Sequence, residues 1–415
     1  MWLLFQTIVT AFLLGIQYFF YREFASYARI QDLGAGARRV VRGTFLLFNV
    51  PLIVLLFWWR GLGRFPGWLV VSTVYPLYLW HASFVFVFIV VMVKEAVSNA
   101  FRGLRWVLRR ALDSGSRHAV IGSSPGMFDR RRRVFVGRGM TILAGAAFAG
   151  SALGALRKDR FDVTEQTVPI LNLPDEFNGF SIALVSDIHS SVFMTLPTMQ
   201  RYVAALNAMG ADCIAVAGDF VNSMVEEVYP FAEAFSRLKA PHGVYGVLGN
   251  HDYYTRNVEA VAREVINCGI RLLVNERVMI QKGSDRLFLL GVDDTGSHDR
   301  AAQWFDRTSR GAAEGIPRIL MCHRPYHFEQ AAQRGIDLTL SGHTHGGQIV
   351  LGRFGNDVIA PARVASPYVA GLYSIGSSRM YVSRGIGTVA IPVRINCPPE
   401  ITKITLTRSV AGGGA

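Results

Sequence analysis

The chain has 415 residues, which is enough for a full catalytic domain and a second unit. Apolar residues make up 51% of it and the mean hydropathy is +0.28, values that are high for a soluble protein. The net charge of +13 arises wholly from residues 1–160, where 21 Lys and Arg accompany 6 Asp and Glu, against 22 and 24 in the remainder. A duplex-binding face needs clustered Lys and Arg, so this distribution argues against nucleic acid as a partner and fits membrane topology.

Three uncharged apolar runs predict three transmembrane helices within residues 1–95. They cover residues 1–21, 43–59 and 65–93. Each reaches the length of about 17 residues that a helix needs to span the hydrocarbon core. A cleavable signal peptide is the alternative for the first run, but that run lacks a basic amino-terminal region and two further apolar runs follow it.

Residues 96–138 are strongly basic and include four consecutive arginines at 130–133. Basic loops next to membrane spans face the cytoplasm, so this stretch is predicted to be a cytoplasmic loop. The first connecting loop, with Arg29, Arg38, Arg39 and Arg42, then lies on the same side, as alternation of three spans requires.

Residues 139–157 predict a fourth hydrophobic helix, rich in small residues. If it crosses the bilayer, everything after it faces away from the cytoplasm, whereas an interfacial helix would leave the rest of the chain inside. We expect it to cross. The prediction is therefore a multi-pass protein of the cell membrane, inner or plasma, whose second domain lies on the non-cytoplasmic side.

Between residues 160 and 407 short apolar strands alternate with helix-like segments, which predicts one α/β domain. Five of the strands run directly into polar residues, which begin with Asp187, Asp219, Asn250, His323 and His343. Since ligands bind beyond the carboxyl ends of strands in open α/β sheets, these five ends should converge. The Gly-rich tail at 408–415 is predicted to be disordered.

The donors at these strand ends are carboxylate, amide and imidazole groups, which suit Mn, Fe or Zn. Two such ions about 3.5–4 Å apart can activate water and clamp the oxygens of a transferring phosphoryl group. Any one of these residues alone is more often a cap or turn residue than a ligand. Five blocks together favour a site for two metal ions.

The blocks resemble those of the calcineurin-like metallophosphoesterase superfamily. They are Asp187-Ile-His189, Gly218-Asp219, Gly249-Asn250-His251-Asp252, His323 and Gly342-His343-Thr344-His345. Within the superfamily, the bacterial membrane-associated phosphodiesterase branch is most similar. The similarity lies in three stretches, residues 342–348, 383–388 and 396–401. The resemblance implies a calcineurin-like αββα sandwich preceded by the α-helical transmembrane region.

The resemblance also implies a role for each motif residue. One divalent ion would be held by Asp187, His189 and His345, the other by Asn250, His323 and His343, with Asp219 bridging the two. The nucleophile would be a metal-activated water.

His251 is expected to contact the phosphate and assist the leaving oxygen, and Asp252 to orient its imidazole. Asn250 and His251 are further expected to touch the substrate. Arg324 and Arg384 are candidates for a phosphate fork, with ordinary ion pairs as the equal alternative. Two positions depart from the family pattern: Ser191 replaces a glycine and Asn222 an aspartate.

These features predict a membrane-anchored dimetal phosphoesterase that hydrolyses phosphodiester or pyrophosphate bonds. Its partners would be membrane lipid and a phosphoester substrate, lipid-linked or of the cell envelope, and no nucleic acid. The alternatives are a non-catalytic membrane scaffold or sensor that retains the fold, and a phosphomonoesterase or phosphoprotein phosphatase. The oligomeric state, the native metal pair and the physiological substrate stay open.

Overall fold

A computed structural model describes residues 2–30, 34–58, 67–112, 126–311, 315–354 and 357–409. The chain divides into two compact units, Met1–Leu153 and Gly154–Ala415. The predicted disordered tail lies outside the described residues from position 410 onward, whereas Arg408 and Ser409 belong to the last strand.

The first unit is helical, and its helices cover the four predicted apolar segments. They are α1 (Trp2–Ile30), α2 (Ala35–Trp58), α3 (Gly67–Leu112) and α4 (Gly126–Arg157), of which α4 continues into the second unit. Among the described residues, the stretch Ser72–Leu108 of α3 alone is long and apolar enough to cross a membrane. The other spans stay predictions.

The predicted loops of this unit are partly wrong. Helix α3 continues to Leu112 and α4 begins at Gly126, so much of the basic stretch 96–138 is helical. Helix α2 likewise begins at Ala35 and includes Arg38, Arg39 and Arg42. Charged residues mark where a membrane span leaves the hydrocarbon core of the bilayer. They do not mark where the helix ends, because Arg, Ala and Leu are good helix formers. Residues 113–125 of the predicted loop lie outside the described part of the chain.

Aromatic side chains fill the interior of the first unit. Phe45 and Phe84 are buried, with ring centroids 5.6 Å apart, and Trp80 packs 4.6 Å from Phe84. The indole N–H of Trp80 donates to the side-chain oxygen of Gln17 at 2.9 Å. Such pairing satisfies polar groups that would be costly to bury alone.

The second unit contains two six-stranded mixed sheets and a small hairpin. The first sheet has the order β1-β14-β2-β3-β4-β5, with β14 antiparallel to β2 and the other pairs parallel. Its strands are β1 (Asp162–Leu171), β2 (Ser181–Val185), β3 (Cys213–Ala217), β4 (Val244–Val247), β5 (Arg271–Leu272) and β14 (Glu400–Ser409).

The second sheet has the order β12-β13-β9-β8-β7-β6, parallel in its centre and antiparallel at both edges. Its strands are β6 (Glu276–Lys282), β7 (Asp285–Gly291), β8 (Arg318–Met321), β9 (Leu338–Ser341), β12 (Gly371–Ile375) and β13 (Ser378–Val382). The hairpin pairs β10 (Gly352–Phe354) with β11 (Asp357–Ile359).

Helices cover the outer face of each sheet, and the predicted α/β sandwich is observed. The helices are α5 (Leu196–Ala208), α6 (Val228–Phe235), α7 (Asn250–Tyr254), α8 (Val258–Asn267), α9 (His298–Ser309), α10 (Phe328–Gln333) and α11 (Ala362–Ala365). Along β3, Ile214 and Val216 pack with the core under α5, α6 and α8, while Ala215 and Ala217 face the core between the sheets. This period of two gives each strand two buried faces.

Strand register brings the motif loops side by side. Val185 of β2 is paired with Val216 of β3, and Ala217 of β3 with Val247 of β4, so these three strands end together. Backbone bonds continue past the strand ends, where the N–H of Asp187 donates to the carbonyl of Gly218 at 3.0 Å. The carboxyl ends of both sheets therefore deliver the predicted residues to one place.

Candidate metal centre and active site

Asp219 lies at the centre of the converging side chains. Its Oδ2 is 3.5 Å from Nε2 of His189 and 3.3 Å from Nε2 of His323, and all three side chains are at most 2% exposed. One carboxylate therefore faces a histidine from each of the two predicted ligand groups. This is the position that a bridging ligand would need.

A second set of contacts completes the first predicted ligand group. His345 Nε2 lies 3.0 Å from His189 Nε2 and 3.6 Å from Asp187 Oδ1. Donor atoms of these three residues all lie within 4.8 Å of one another, as do those of Asp187, Asp219 and His323. The buried donors thus form overlapping trios around Asp187 and Asp219.

The donor set fits divalent metal ions. Ligands held about 2.0–2.2 Å from one ion stand about 3.0–3.5 Å from each other, which is close to the separations found here. Oδ1 of Asn250 is buried and has no hydrogen-bond partner among the described residues. An unpaired buried acceptor is costly unless an ion or water satisfies it, so this oxygen is suited to hold metal.

Asn250 and His343 are the remaining predicted ligands, and His343 lies beside His323 and Asp187. Asn250 donates its amide N–H to the hydroxyl of Tyr254 at 3.2 Å, which leaves the amide oxygen for an ion. The ring of His343 packs edge-on against His323 with centroids 5.1 Å apart, and its backbone N–H donates to Asp187 at 2.8 Å. His343 is not part of the tight trios described above.

Burial sets the protonation of the histidines. It lowers the pKa of His189 and of His345 well below the usual range, and that of His343 to about 3, so these rings are neutral and ready to bind metal. Burial also opposes the charge of His323, but the Asp219 carboxylate overrides it and raises the pKa of His323 to about 10. Metal-free protein therefore holds a proton between Asp219 and His323.

The ligand loops are strained in a way that identifies them as functional. Five of the seven predicted metal ligands have a positive φ between 48° and 73°: Asp187, His189, Asp219, His343 and His345. Non-glycine residues in this left-handed region cost about 1–3 kcal/mol each and concentrate at active sites. The fold maintains these conformations because each one aims a donor at the same point.

Two glycines of the motifs allow the backbone to lie very close to a predicted carboxylate ligand. A Cβ on Gly249 would lie 2.2 Å from Oδ1 of Asp219, and one on Gly342 would lie 2.4 Å from Oδ2 of Asp187. Real Cβ contacts are never this short, so a side chain at either position would push a carboxylate away. Each glycine therefore lets the backbone pass directly behind a predicted ligand.

His251 stands at the edge of the centre. One of its ring nitrogens lies within 4.8 Å of the donor atoms of His189 and Asp219, and its Nδ1 donates to the carbonyl of Asn222 at 2.6 Å. Its other nitrogen is left for the substrate. Asp252 does not perform the predicted orienting role, because its carboxylate accepts the N–H groups of Gly249 at 2.8 Å and Val221 at 3.2 Å instead.

Of the two candidate phosphate-binding arginines, Arg384 is committed to ion pairs. Its guanidinium donates to Glu400 at 2.6 Å and to Asp162 at 3.0 Å, so the ion-pair alternative describes it. Arg324 makes a bidentate pair with Asp294 at 2.6 and 2.8 Å and still lines the cavity beside His343. A third N–H donates to the Tyr326 hydroxyl at 2.5 Å, so two of its five N–H groups have no protein acceptor among the described residues.

The part of the chain that contains this site matches a known protein family. Residues 180–347 match the family described as calcineurin-like phosphoesterase. The chain carries a calcineurin-like phosphoesterase domain.

Several named proteins are similar to it. "Transmembrane protein with metallophosphoesterase domain" of Danio rerio is 32% identical over 257 residues, which cover 60% of this chain and 57% of that protein. "Uncharacterized metallophosphoesterase YkuE" of Bacillus subtilis is 29% identical and is covered over 97% of its length, against 66% of this chain. "Phosphodiesterase YaeI" of Escherichia coli is 29% identical over 56% of this chain and 84% of that protein. The chain spans only 57% to 66% of the transmembrane relatives from Danio rerio and Bos taurus.

The two departures from the calcineurin-like pattern are accommodated locally. Ser191 does not have a positive φ, so the loop after His189 does not require glycine there. Asn222 serves His251 through its backbone carbonyl, and its side-chain amide donates to Ser223 at 3.1 Å. The loop therefore presents the peptide oxygen of Asn222 to His251.

Two supporting residues of the calcineurin-like domain were not assigned roles from sequence. Glu227 is buried, and its Oε2 accepts the N–H groups of residues 222, 223 and 224 at 2.8–3.0 Å, which fixes the loop whose Asn222 carbonyl contacts His251. Arg394 is also buried and donates to backbone carbonyls, among them those of His345 and Gly387. A glutamate or arginine far from the motifs in sequence gives no signal of such a role.

Proposed function

We propose that this protein is a membrane-anchored phosphoesterase that uses two divalent metal ions, Mn, Fe or Zn, to hydrolyse phosphodiester or pyrophosphate bonds. The observation that carries the proposal is the position of Asp219, whose Oδ2 lies 3.3–3.5 Å from a histidine of each predicted ligand group. A carboxylate between two such groups is what a paired-ion centre requires.

In this proposal each residue has one task. Asp187, His189 and His345 hold one ion, Asn250, His323 and His343 hold the other, and Asp219 touches both. When bound, the ions lower the pKa of water and offset the charge of the phosphate. His251, fixed by Asn222 at 2.6 Å, presents its second ring nitrogen to the phosphate and carries the proton that the leaving oxygen takes.

The proposal is tested with the full-length protein in lipid nanodiscs. We expect hydrolysis of bis(4-nitrophenyl) phosphate with Mn²⁺, loss of activity after chelation, recovery after Mn²⁺ is restored, and slower hydrolysis of the monoester 4-nitrophenyl phosphate. The Asp219→Asn variant serves as the inactive control. No turnover of either ester with Mn²⁺, Fe²⁺ or Zn²⁺ would instead favour a scaffold that retains the fold. Faster turnover of the monoester would favour a phosphomonoesterase.

The proposed substrate class follows from a membrane location. An apolar helix at Ser72–Leu108, the names of the Danio rerio and Bos taurus relatives and the basic amino-terminal part of the chain all support a membrane location. A phosphoester of the membrane or of the cell envelope would be within reach of such an enzyme. We propose that the domain lies on the non-cytoplasmic side.

A further inference from the structure

A cavity of about 530 Å³ opens next to the metal centre. The predicted ligands His343 and His345 line it together with Arg324. Much of the remaining wall is apolar and includes Ile349, Pro361, Ala362, Ala365, Val389 and Ile391. A volume of this size is ordinary for a small-molecule site.

Most polar side chains along the wall are already hydrogen bonded within the protein. The Thr344 hydroxyl donates to the carbonyl of Val369 at 2.6 Å, and the Ser366 hydroxyl donates to that of Tyr368 at 3.0 Å. A sugar or nucleobase placed beyond His343 would lose its hydrogen bonds to water and find few replacements among these groups.

The wall is held in place by the same turn that supplies the histidines. The Gln348 amide donates to the carbonyls of Val389 and Ile391, both at 3.0 Å, and its oxygen accepts the N–H of Val389 at 2.9 Å. On the other side, a Cβ on Gly347 would lie 2.4 Å from that of Ala360, so the chain leading to α11 packs directly on the turn. The cavity is therefore preformed.

We infer that this cavity binds an apolar alkyl or aryl group joined through oxygen to the phosphorus that the metal centre holds. This inference rests on the proposed function and adds the chemical class of one substituent of the substrate. The two histidines and Arg324 in the lining match the phosphate, and the apolar side chains of the wall match a group with no polar atoms of its own.

Calorimetric binding of alkylphosphonates tests the inference without requiring turnover. The full-length protein in nanodiscs, loaded with Mn²⁺, is titrated with methyl-, butyl- and hexylphosphonate, and empty nanodiscs give the blank. We expect Kd to fall at least about tenfold from methyl to butyl, because each buried methylene favours binding. A Kd that changes less than about twofold through the series would overturn the inference.

Two variants locate the effect in the cavity. In Ala365→Phe, at the end of α11, the new ring narrows the cavity and should abolish the gain with chain length while methylphosphonate still binds. Ala208→Phe, at the exposed end of α5, is the matched control and should keep the gain. Val389→Asn, which makes the wall polar, gives a second test should Ala365→Phe not fold. A chain-length gain that survives in a folded cavity variant would place the alkyl group elsewhere.

The same preparations separate this inference from the proposed function. A chain-length gain without hydrolysis of bis(4-nitrophenyl) phosphate would support the cavity and count against the enzyme. Hydrolysis without a chain-length gain would support the enzyme and overturn the cavity assignment. A lipid phosphoester and a soluble one share this chemistry, and competition by phosphatidic acid in the nanodisc would identify the lipid as the source.

Discussion

The carbonyl oxygen of Asn222 lies 2.6 Å from Nδ1 of His251. A peptide oxygen accepts only from a protonated Nδ1, so this bond fixes the ring orientation and leaves the other nitrogen for the substrate. The carbonyl is itself held by its neighbourhood, since the Glu227 carboxylate binds three successive N–H groups beginning with that of Asn222.

Glu227→Ala should lower turnover by about tenfold or more and leave metal content near that of wild type. The loss of this acceptor leaves the N–H groups of Ser223 and Met224 unpaired, while that of Asn222 still reaches the carbonyl of Ser190 at 3.3 Å. This should also reduce the free energy of unfolding by about 2–4 kcal/mol. Steady-state kinetics, metal analysis and chemical unfolding measure the three quantities. Glu226→Ala, at the exposed neighbour, is the control, and Glu227→Gln should recover part of the activity. Equal effects of both alanine variants would contradict the positioning role.

His251→Ala should reduce turnover by about a hundredfold or more, because the proton for the leaving oxygen loses its carrier. Bound metal should be largely unchanged, since His251 is assigned as a non-ligand. Kinetics and elemental analysis on the same preparation check both statements. His298→Ala, at an exposed histidine, should behave like wild type. Loss of both ions from the His251 variant would overturn the assignment.

Metal binding should release a proton from His323. With its pKa raised to about 10 from 6.5, His323 is charged in the metal-free protein at pH 8, and an ion can bind the ring only after the proton leaves. Calorimetric titration with Mn²⁺ in buffers of different ionisation enthalpy should report the release of about one proton for this site. Asp219→Asn, which removes the carboxylate, should abolish that release.

The stability of metal-free protein should change with pH for the same reason. The pKa of His323 is higher in the folded protein, about 10, than the 6.5 of an unperturbed histidine. Protonated His323 therefore stabilises the fold fully below pH 6.5, and this contribution is lost as the pH rises toward 10. The thermal midpoint in chelator should therefore decrease between pH 7 and pH 10, and the decrease should be smaller in Asp219→Asn. An increase over that interval would contradict the Asp219–His323 ion pair.

Gly342→Ala should weaken metal binding by displacing Asp187, because the added Cβ would meet Oδ2 at 2.4 Å. Gly296→Ala is a suitable control, since the nearest atom to its Cβ, the Tyr326 hydroxyl, would be at an ordinary 3.9 Å. Metal affinity by competition with a chelating dye should fall at least about tenfold in the first variant only. Similar affinities in the two variants would mean that the loop can shift without cost.

The side of the membrane can be read by cysteine labelling. In a Cys268→Ser background, a membrane-impermeant maleimide should label the Ala208→Cys variant in intact cells and the Gly36→Cys variant only in inverted vesicles. Both positions are exposed, and the other three cysteines are buried. The opposite pattern would place the domain in the cytoplasm.

The sequence was most informative where residue type and position are tied to strand ends. Asp187 and Asp219 follow neighbouring parallel strands of one sheet, so they lie side by side. His323 follows a strand of the other sheet and meets them because the two sheets pack on a common core. The α/β class and the converging donors followed from that pattern together with the family resemblance.

Roles that depend on backbone atoms or on distant partners could not be predicted in the same way. Asn222 acts through a carbonyl that every residue possesses, so its type carries no sign of its contact with His251. Glu227 acts through packing that only the folded chain defines. Helix α3 extends to Leu112, beyond the predicted apolar run 65–93. The charged residues after position 93 predict where a membrane span ends, but the end of a helix depends on helix propensity, which these residues do not lower.

The turn that carries His343 and His345 continues into Gln348, which holds the wall residues Val389 and Ile391. Under the proposed function, cation and substrate selectivity would therefore be coupled through one short peptide. Exchanging Mn²⁺ for a smaller or differently coordinated ion should alter which ester the enzyme prefers as well as how fast it works. Substrate preferences measured with one metal ion would then not hold for the protein loaded with another.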